Sequence, residues 1–479
     1  MGLLTGITNW FVQWQYTRLV HALSAQEPEE IIATGERNLL KAFRSAAEKV
    51  PAYRRLLSEK GVNPGAISTI AAFKEKVPFL DKESVFPRNA LRDLCVGGHL
   101  DDICSFYSSS GSSGVFSFGA ETWQSASHAA LGLEFLLDQH FQIFRRKTLL
   151  INCLPMGVKI ATRTIPVADT SVRADVIHAL IKKLADDFDQ FILVGESPFL
   201  KKVIEEGSEN GIPWHNLLVN VITGGEFIAE NFRSYLGHLL GIDFDSPERG
   251  MILVNMGLSE LGLSIFREEH RTIQLRRQAH LNRDLRYALF GTGTEVCPLV
   301  MQYFPQQTFL ETVPGKDGRP ELVVSTLGKN LKIPLIRYRT GDTARTMTYP
   351  EMALVLKELG RENLLPEFRL PFGMVGGKSV EVELAHGESV SANEVKEALY
   401  HDFGVASQVT GNFRLSRENG EVTLLVQLRD GFAATPGLVG KLSAALATYA
   451  RVKVTIAILP YRQFPFGIEH NYERKNQYI

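Results

Sequence analysis

Short apolar runs, spaced by stretches of helical period, fill the first three quarters of the chain. Residues 148–152, 191–195, 218–223 and 251–255 each read as a buried strand. A brief continuous apolar run bounded by turn residues suits a sheet covered on both faces. Between them, Val176, Ile177, Leu180, Ile181 and Leu184 share one face of a helix over 172–188. Strands alternating with helices predict an α/β architecture with largely parallel, helix-covered sheets in several layers. Residues 321–325 add a later strand. Residues 38–60 read as one helix, stopped by the turn Gly61-Val62-Asn63-Pro64-Gly65. The Trp-, Phe- and Leu-rich stretch 3–23 reads as a helix packed on the body, with a membrane-surface helix as the alternative.

The pattern changes toward the C-terminus. Ser391-Ala392-Asn393-Glu394 is a capping box that opens a helix through Val395, Ala398 and Leu399. Residues 405–415 are strand-like, and Asn419-Gly420 is a hairpin signal because both residues tolerate positive φ. Val422, Leu424, Val426 and Leu428 alternate as a half-buried strand does. Thr435 followed by Pro436 starts another helix, striped by Leu438, Leu442, Ala445, Leu446 and Tyr449. Residues 452–458 end the series as a strand. Helix, strand, strand, helix, strand is a small α+β domain. The expected division is a large domain over 1–372 and a small, mobile C-terminal domain over 378–479, with prolines and glycines clustered from 371 to 378.

A length of 479 residues also favours two or more domains. A net charge of -1 argues against a nucleic-acid surface. No apolar run is long enough to span a bilayer, and the N-terminus lacks the basic segment of a secretory leader. The four cysteines, Cys95, Cys104, Cys153 and Cys297, contain no Cys-x-x-Cys pair. Zinc and a disulfide framework are therefore not expected, and a cytoplasmic setting is.

Several polar segments carry candidate chemistry. In Ser108-Ser109-Ser110-Gly111-Ser112-Ser113-Gly114, glycines let backbone amides converge and serines add donors, which suits phosphate. The run lacks the ending of a Walker loop, and a flexible solvent loop has the same composition. Thr223-Gly224-Gly225-Glu226 follows an apolar strand directly, so a flat ligand can lie against its backbone; an ordinary strand-to-helix turn reads equally well. Met256-Gly257-Leu258-Ser259-Glu260 places a carboxylate just past a strand, where it suits Mg²⁺ beside phosphates or a helix start. In Tyr338-Arg339-Thr340-Gly341-Asp342, the aspartate suits two ribose hydroxyls or a turn.

In this order, these segments resemble the adenylate-forming superfamily of acyl- and aryl-CoA ligases, and its phenylacetate–CoA ligase-like branch in particular. Tyr338 to Asp342 matches that family's Tyr-Arg-Thr-Gly-Asp as written. Residues 256–260 resemble its Tyr-Gly-Leu-Thr/Ser-Glu, with Met256 in place of the adenine-stacking aromatic. The Ser/Gly run resembles its phosphate loop, with Val115 and Phe116 where the lysine and proline stand. Val50-Pro51-Ala52-Tyr53-Arg54 and Val77-Pro78-Phe79-Leu80-Asp81-Lys82 resemble the opening of phenylacetate–CoA ligases. Asn471-Tyr472-Glu473-Arg474-Lys475 looks like the segment that carries the catalytic lysine. The hinge Gly-Arg pair is replaced by Gly376-Gly377-Lys378, with Arg361 and Arg369 as the candidate substitutes.

The resemblance implies attack of a carboxylate on the α-phosphorus of ATP, then transfer of the acyl group to CoA or another thiol. It implies that Glu260 helps hold Mg²⁺ and that Ser109, Ser110, Ser112, Ser113 and Gly114 grip the phosphates. Gly225, Glu226, Met256, Gly257 and Ser259 would line the nucleotide, Asp342 would hold the ribose, and Lys475 would be catalytic. The implied partners are a small carboxylic acid, aryl or medium-sized, and CoA or a carrier protein. Two other readings stand beside it: an adenylating amide-forming or acyl-protein synthetase, and a degenerate homologue that binds a nucleotide or partner without turnover.

Overall fold

An 11-stranded sheet organises most of the chain. The computed structural model describes residues 2–109, 114–155, 157–258, 260–291, 294–378, 380–383, 389–418, 421–465, 472 and 478–479. One half of the sheet is parallel, in the order Val167–Asp169, Thr148–Asn152, Gln190–Glu196, Val219–Gly224, Ile252–Leu258. The other half is antiparallel and continues through Gly262–Arg267, Leu299–Gln302, Phe372–Lys378, Tyr338–Met347, Pro320–Thr326 and Thr308–Pro314. The expected parallel, helix-covered sheet is the first half. The direction changes where Leu258 pairs with Gly262 across a tight connection, because an antiparallel pair needs no crossover helix.

Side chains alternate between the two faces of the parallel half, and both faces are covered. Leu149, Ile151, Phe191 and Leu193 share a core with Ile177 and Ile181 of helix Ala174–Leu184 and with Phe199, Leu200 and Val203 of helix Ser197–Glu209. Leu150, Ile192 and Val194 face the other way, onto Leu137 and Phe141 of helix Trp123–Phe141.

The single helix expected over 38–60 is two, Pro28–Lys49 and Pro51–Glu59. Pro51 donates no N–H and disfavours helical geometry in the residue before it, and Val50 is extended at φ -102°, ψ 110°. The N-terminal helix Gly2–Ala25 packs on the body through Tyr16, whose hydroxyl donates to the Leu131 carbonyl at 2.8 Å. Among the described residues, no helix is long and apolar enough to cross a membrane.

The strand Ile252–Leu258, which leads to Glu260, is anchored by buried charge. Glu268 accepts from the Val254 N–H at 2.8 Å and pairs with Arg233 at 2.7 Å; both side chains are fully buried. Arg233 shares Glu230 with Arg276, which lies 2.9 Å from it. Removing one partner of a buried pair leaves a charge without compensation. Glu268→Ala is therefore expected to destabilise the protein by about 3–5 kcal/mol, read as a lower urea midpoint with an unchanged slope.

The C-terminal elements follow the expected order. Helix Ala392–His401 opens on the capping box: Ser391 Oγ accepts from the Glu394 N–H at 3.2 Å, and Glu394 accepts from the Ser391 N–H at 2.7 Å. Strands Val409–Glu418 and Glu421–Leu428 pair antiparallel, helix Pro436–Tyr449 follows, and Val454–Leu459 joins the middle strand in parallel. The first strand begins at Val409 rather than 405 because Asp402 caps a short helix, Phe403–Ala406. The Asn419-Gly420 turn lies outside the described residues. The expected hinge glycines, Gly376 and Gly377, belong to the strand Phe372–Lys378 of the large sheet.

This C-terminal part is docked on the rest of the chain. Glu397, wholly buried, accepts from the N–H groups of Glu230 and Asn231 at 2.8 and 3.0 Å, at the start of helix Glu230–Leu240. A carboxylate there satisfies donors that have no partner within the helix. Lys201 donates to the Val409 carbonyl at 2.7 Å, and the Tyr400 ring meets Phe232 with centroids 4.8 Å apart.

Candidate active site

The carboxyl ends of the parallel strands gather most of the described candidate residues, the usual place for a ligand in an open α/β sheet. Val219–Gly224 ends in the Gly-Gly pair, and Ile252–Leu258 leads to Glu260. Gly224 passes so close to the Asn255 carbonyl that a Cβ has no room, and Gly225 adopts φ 87°. Two glycines in succession serve two purposes here, close strand approach and a left-handed turn. Met256 pairs with Phe266 and packs partly buried against the core, and Gly257 lies where the register shifts.

Glu260 links three of the segments. The phosphate-loop candidate rises from a hairpin, Ile103–Ser108 with Phe118–Thr122. At its base the Ser109 N–H donates to the Ser117 carbonyl and the Ser117 N–H donates to Ser109 Oγ, both at 3.0 Å. Ser117 Oγ then donates to Glu260 Oε2 at 2.9 Å, and Tyr338 Oη donates to Glu260 Oε1 at 2.9 Å. Burial, and then the Glu260 carboxylate, push the Tyr338 phenol well above the usual tyrosine range. The hydroxyl is therefore a donor.

Asp342 lies on the same strand as Tyr338, buried, with its N–H donating to Thr340 Oγ1 at 3.1 Å. It stands opposite Lys378 in the sheet. Thr343 Oγ1 donates to the Gly377 carbonyl at 3.1 Å, and a Cβ on Gly377 would lie 3.4 Å from that of Phe227, next to Glu226. The pairing of Thr223 with Val254 joins the Gly-Gly strand to the Glu260 strand. Ser109 and Tyr338 thus meet at Glu260 through hydrogen bonds, Ser109 by way of Ser117, while Asp342 shares the Tyr338 strand and Gly225 and Glu226 follow the strand beside the one that leads to Glu260.

Glu226 also receives two groups from the C-terminal part. Lys396 Nζ lies 2.7 Å from Glu226 Oε2, Tyr478 Oη donates to the same oxygen at 2.8 Å, and Lys396 Nζ lies 4.4 Å from the Tyr478 ring centroid. Tyr472 packs on Phe199 at 5.2 Å between ring centroids. Ser110, Ser112, Ser113, Ser259 and Lys475 lie outside the described residues, as does Arg474. Gly114 is described, at φ 80°.

Arg369 pairs with Glu27 at 3.0 Å, and Arg361 donates to Gln278 at 3.1 Å.

Ser117, Lys396 and Tyr478 were not singled out from the sequence. Ser117 had one local sign, a polar residue between Phe116 and Phe118 that is nonetheless wholly buried. Nothing local marks Lys396 or Tyr478, because their importance depends on a contact across the fold.

No protein-family profile matches the chain, and no curated protein sequence matches it. Solved structures do. A 2-hydroxyisobutyryl-CoA ligase in its postadenylation state, in complex with R3-HIB-AMP, is similar at TM-score 0.66 and 14% identity, over 95% of this chain and 91% of that one. The same ligase with 2-HIB-AMP in the postadenylation state gives 0.64 and 13%, over 92% and 89%. In its thioesterification state, with 2-HIB-AMP and CoA, it gives 0.54 and 14%, over 94% and 90%. The chain therefore has the fold of the adenylate-forming acyl-CoA ligases. The likeness spans nearly the whole of both chains and includes the C-terminal part.

Proposed function

We propose that this protein is an ATP-dependent, AMP-forming ligase that activates a carboxylic acid as an acyl-adenylate and passes the acyl group to a thiol. The supporting observation is the pair of hydrogen bonds that ties the base of the Ser/Gly loop and Tyr338 to Glu260, just past the parallel strand Ile252–Leu258, with Asp342 on the Tyr338 strand. The acid would be aryl or medium-sized, as in the phenylacetate–CoA ligase-like branch, and the thiol CoA or a carrier protein.

The reaction joins two anions, so positioning and charge stabilisation are the protein's tasks. A carboxylate oxygen of the acid forms a bond to the α-phosphorus, and the bond from that phosphorus to the bridging oxygen breaks. Pyrophosphate leaves with that electron pair. Asp342 would accept from the ribose hydroxyls, and the backbone at Gly225 and Glu226 would lie along the adenine. Met256, Gly257 and Ser259 would complete that wall. Ser109, Ser110, Ser112, Ser113 and Gly114 would donate to the β- and γ-phosphates.

Glu260 suits Mg²⁺. Its carboxylate is met by two neutral hydroxyls, and Mg²⁺ commonly takes one or two carboxylates together with substrate phosphates. Bound there, the ion would neutralise phosphate charge. Lys475 would reach the acid and the α-phosphate from the C-terminal domain, which we place after the strand Phe372–Lys378, with Gly376 and Gly377 at its approach. The higher TM-score against the postadenylation structures than against the thioesterification structure supports an arrangement suited to the first half-reaction. Rotation for the second half would break the Lys396–Glu226, Tyr478–Glu226 and Glu397–helix contacts.

Exchange of radiolabelled pyrophosphate into ATP, run against a panel of aryl and fatty acids, tests the reading. Exchange that depends on one class of acid is expected. ATP binding with no exchange for any acid would instead fit a binding-only homologue. If adenylation occurs, pyrophosphate release that requires an amine but not CoA would point to the amide-forming alternative.

A further inference from the structure

The tyrosine that opens Tyr338-Arg339-Thr340-Gly341-Asp342 has no task in the reaction above. It is 2% exposed, and its hydroxyl meets one oxygen of Glu260 while Ser117, fully buried, meets the other, each at 2.9 Å. Two donors on two different oxygens oppose rotation about the terminal torsion of a glutamate, which is otherwise broad. Both donors are neutral, so neither of them cancels the carboxylate's charge. A lysine or arginine in either place would cancel that charge and repel a cation.

The chain fixes Tyr338 from both sides. Arg337, the residue before it, is buried and adopts φ 54°, a left-handed conformation that is uncommon without glycine. All three nitrogens of its guanidinium donate: Glu311 takes two bonds at 3.1 and 3.0 Å, and the Lys74 and Val77 carbonyls take bonds at 2.8 and 2.5 Å. It also lies 4.0 Å from the Phe79 ring centroid. Leu80 then bridges Tyr338: its N–H donates to the Arg337 carbonyl at 2.9 Å, and its carbonyl accepts from the Arg339 N–H at 2.8 Å. The segment Val77-Pro78-Phe79-Leu80-Asp81 thereby acquires a physical role, since it grips the residues on either side of this tyrosine.

We propose that Tyr338 and Ser117 are positioning residues that orient the Glu260 carboxylate toward a divalent cation carried by the ATP phosphates, and that Arg337 with the Val77–Asp81 segment sets the Tyr338 hydroxyl. This inference rests on the ATP-dependent reading above. Groups that orient a metal-binding carboxylate commonly change cation affinity by about 10- to 100-fold when removed.

The test uses the full chain with Mn²⁺ and α,β-methylene-ATP, which cannot release pyrophosphate, and follows free Mn²⁺ by electron paramagnetic resonance. Tyr338→Phe and Ser117→Ala are each expected to weaken Mn²⁺ binding in the presence of the analogue by about 10- to 100-fold. Pyrophosphate exchange by each variant should recover as Mg²⁺ is raised, a rescue that general loss of packing would not give. If Tyr338→Phe fails to fold, Ser117→Ala reads the same carboxylate from its other oxygen. Wild-type Mn²⁺ affinity in the folded variants overturns the inference alone. No joint binding of Mn²⁺ and analogue by the wild-type protein overturns both this inference and the ATP-dependent reading.

Discussion

Lys475→Ala is expected to slow adenylate formation by about 100- to 1,000-fold, the scale for losing one preorganised transition-state donor. The acid and the α-phosphate both carry negative charge, and charge builds on the oxygens between them as the new bond forms. A cation that arrived with a mobile C-terminal domain would stabilise that charge and depart when the domain turned, as a group on a moving element can. Lys475 falls between Tyr472, packed on Phe199, and Tyr478, bonded to Glu226, so described residues of its own segment lie on both sides of it in sequence. Equilibrium ATP binding should change little, because the interaction belongs to the transition state. Arg474→Ala is the matched control, and it should keep most of the exchange activity. Unchanged exchange in Lys475→Ala removes the lysine from the chemistry.

Asp342→Ala is expected to raise the ATP KM by about 100-fold. A charged acceptor contributes roughly 1.5–3 kcal/mol for each hydrogen bond it makes, and a ribose offers two hydroxyls. The side chain is buried beside the strand end where Thr343 meets Gly377, so no other described carboxylate on that strand can take its place. Asp342→Asn keeps the shape and loses the charge, and it should fall between wild type and alanine. Thermal melts of both variants separate a binding loss from a folding loss. A normal ATP KM in folded Asp342→Ala places the ribose elsewhere.

Local chemistry carried much of this structure. The capping box at Ser391, the Thr435-Pro436 start and the buried runs around Leu150 and Leu193 appear where their periods and caps put them. A single proline changed one element, because Val50 and Pro51 cannot continue a helix that the apolar period alone would extend. The antiparallel half of the sheet was not legible, since strand direction depends on connections and pairing rather than on the apolar run itself. Among the candidate site residues, Glu260 and Asp342 stood out because their segments resemble motifs of the adenylate-forming superfamily. Ser117, Lys396 and Tyr478 did not, because each acts through a partner more than 140 residues away in the chain. The same limit applied to the partners of Arg361 and Arg369, Gln278 and Glu27, which lie far from them in the chain.

One isotope experiment goes straight to the chemistry. An accepted acid is labelled with oxygen-18 in its carboxylate, turned over with ATP, Mg²⁺ and a thiol, and the AMP is weighed by mass spectrometry. Attack of the carboxylate on the α-phosphorus must leave one labelled oxygen on AMP when the acyl group departs. Label found in inorganic phosphate, with ADP as the nucleotide product, would mean the acid is activated at the terminal phosphate and would contradict an acyl-adenylate made in this pocket.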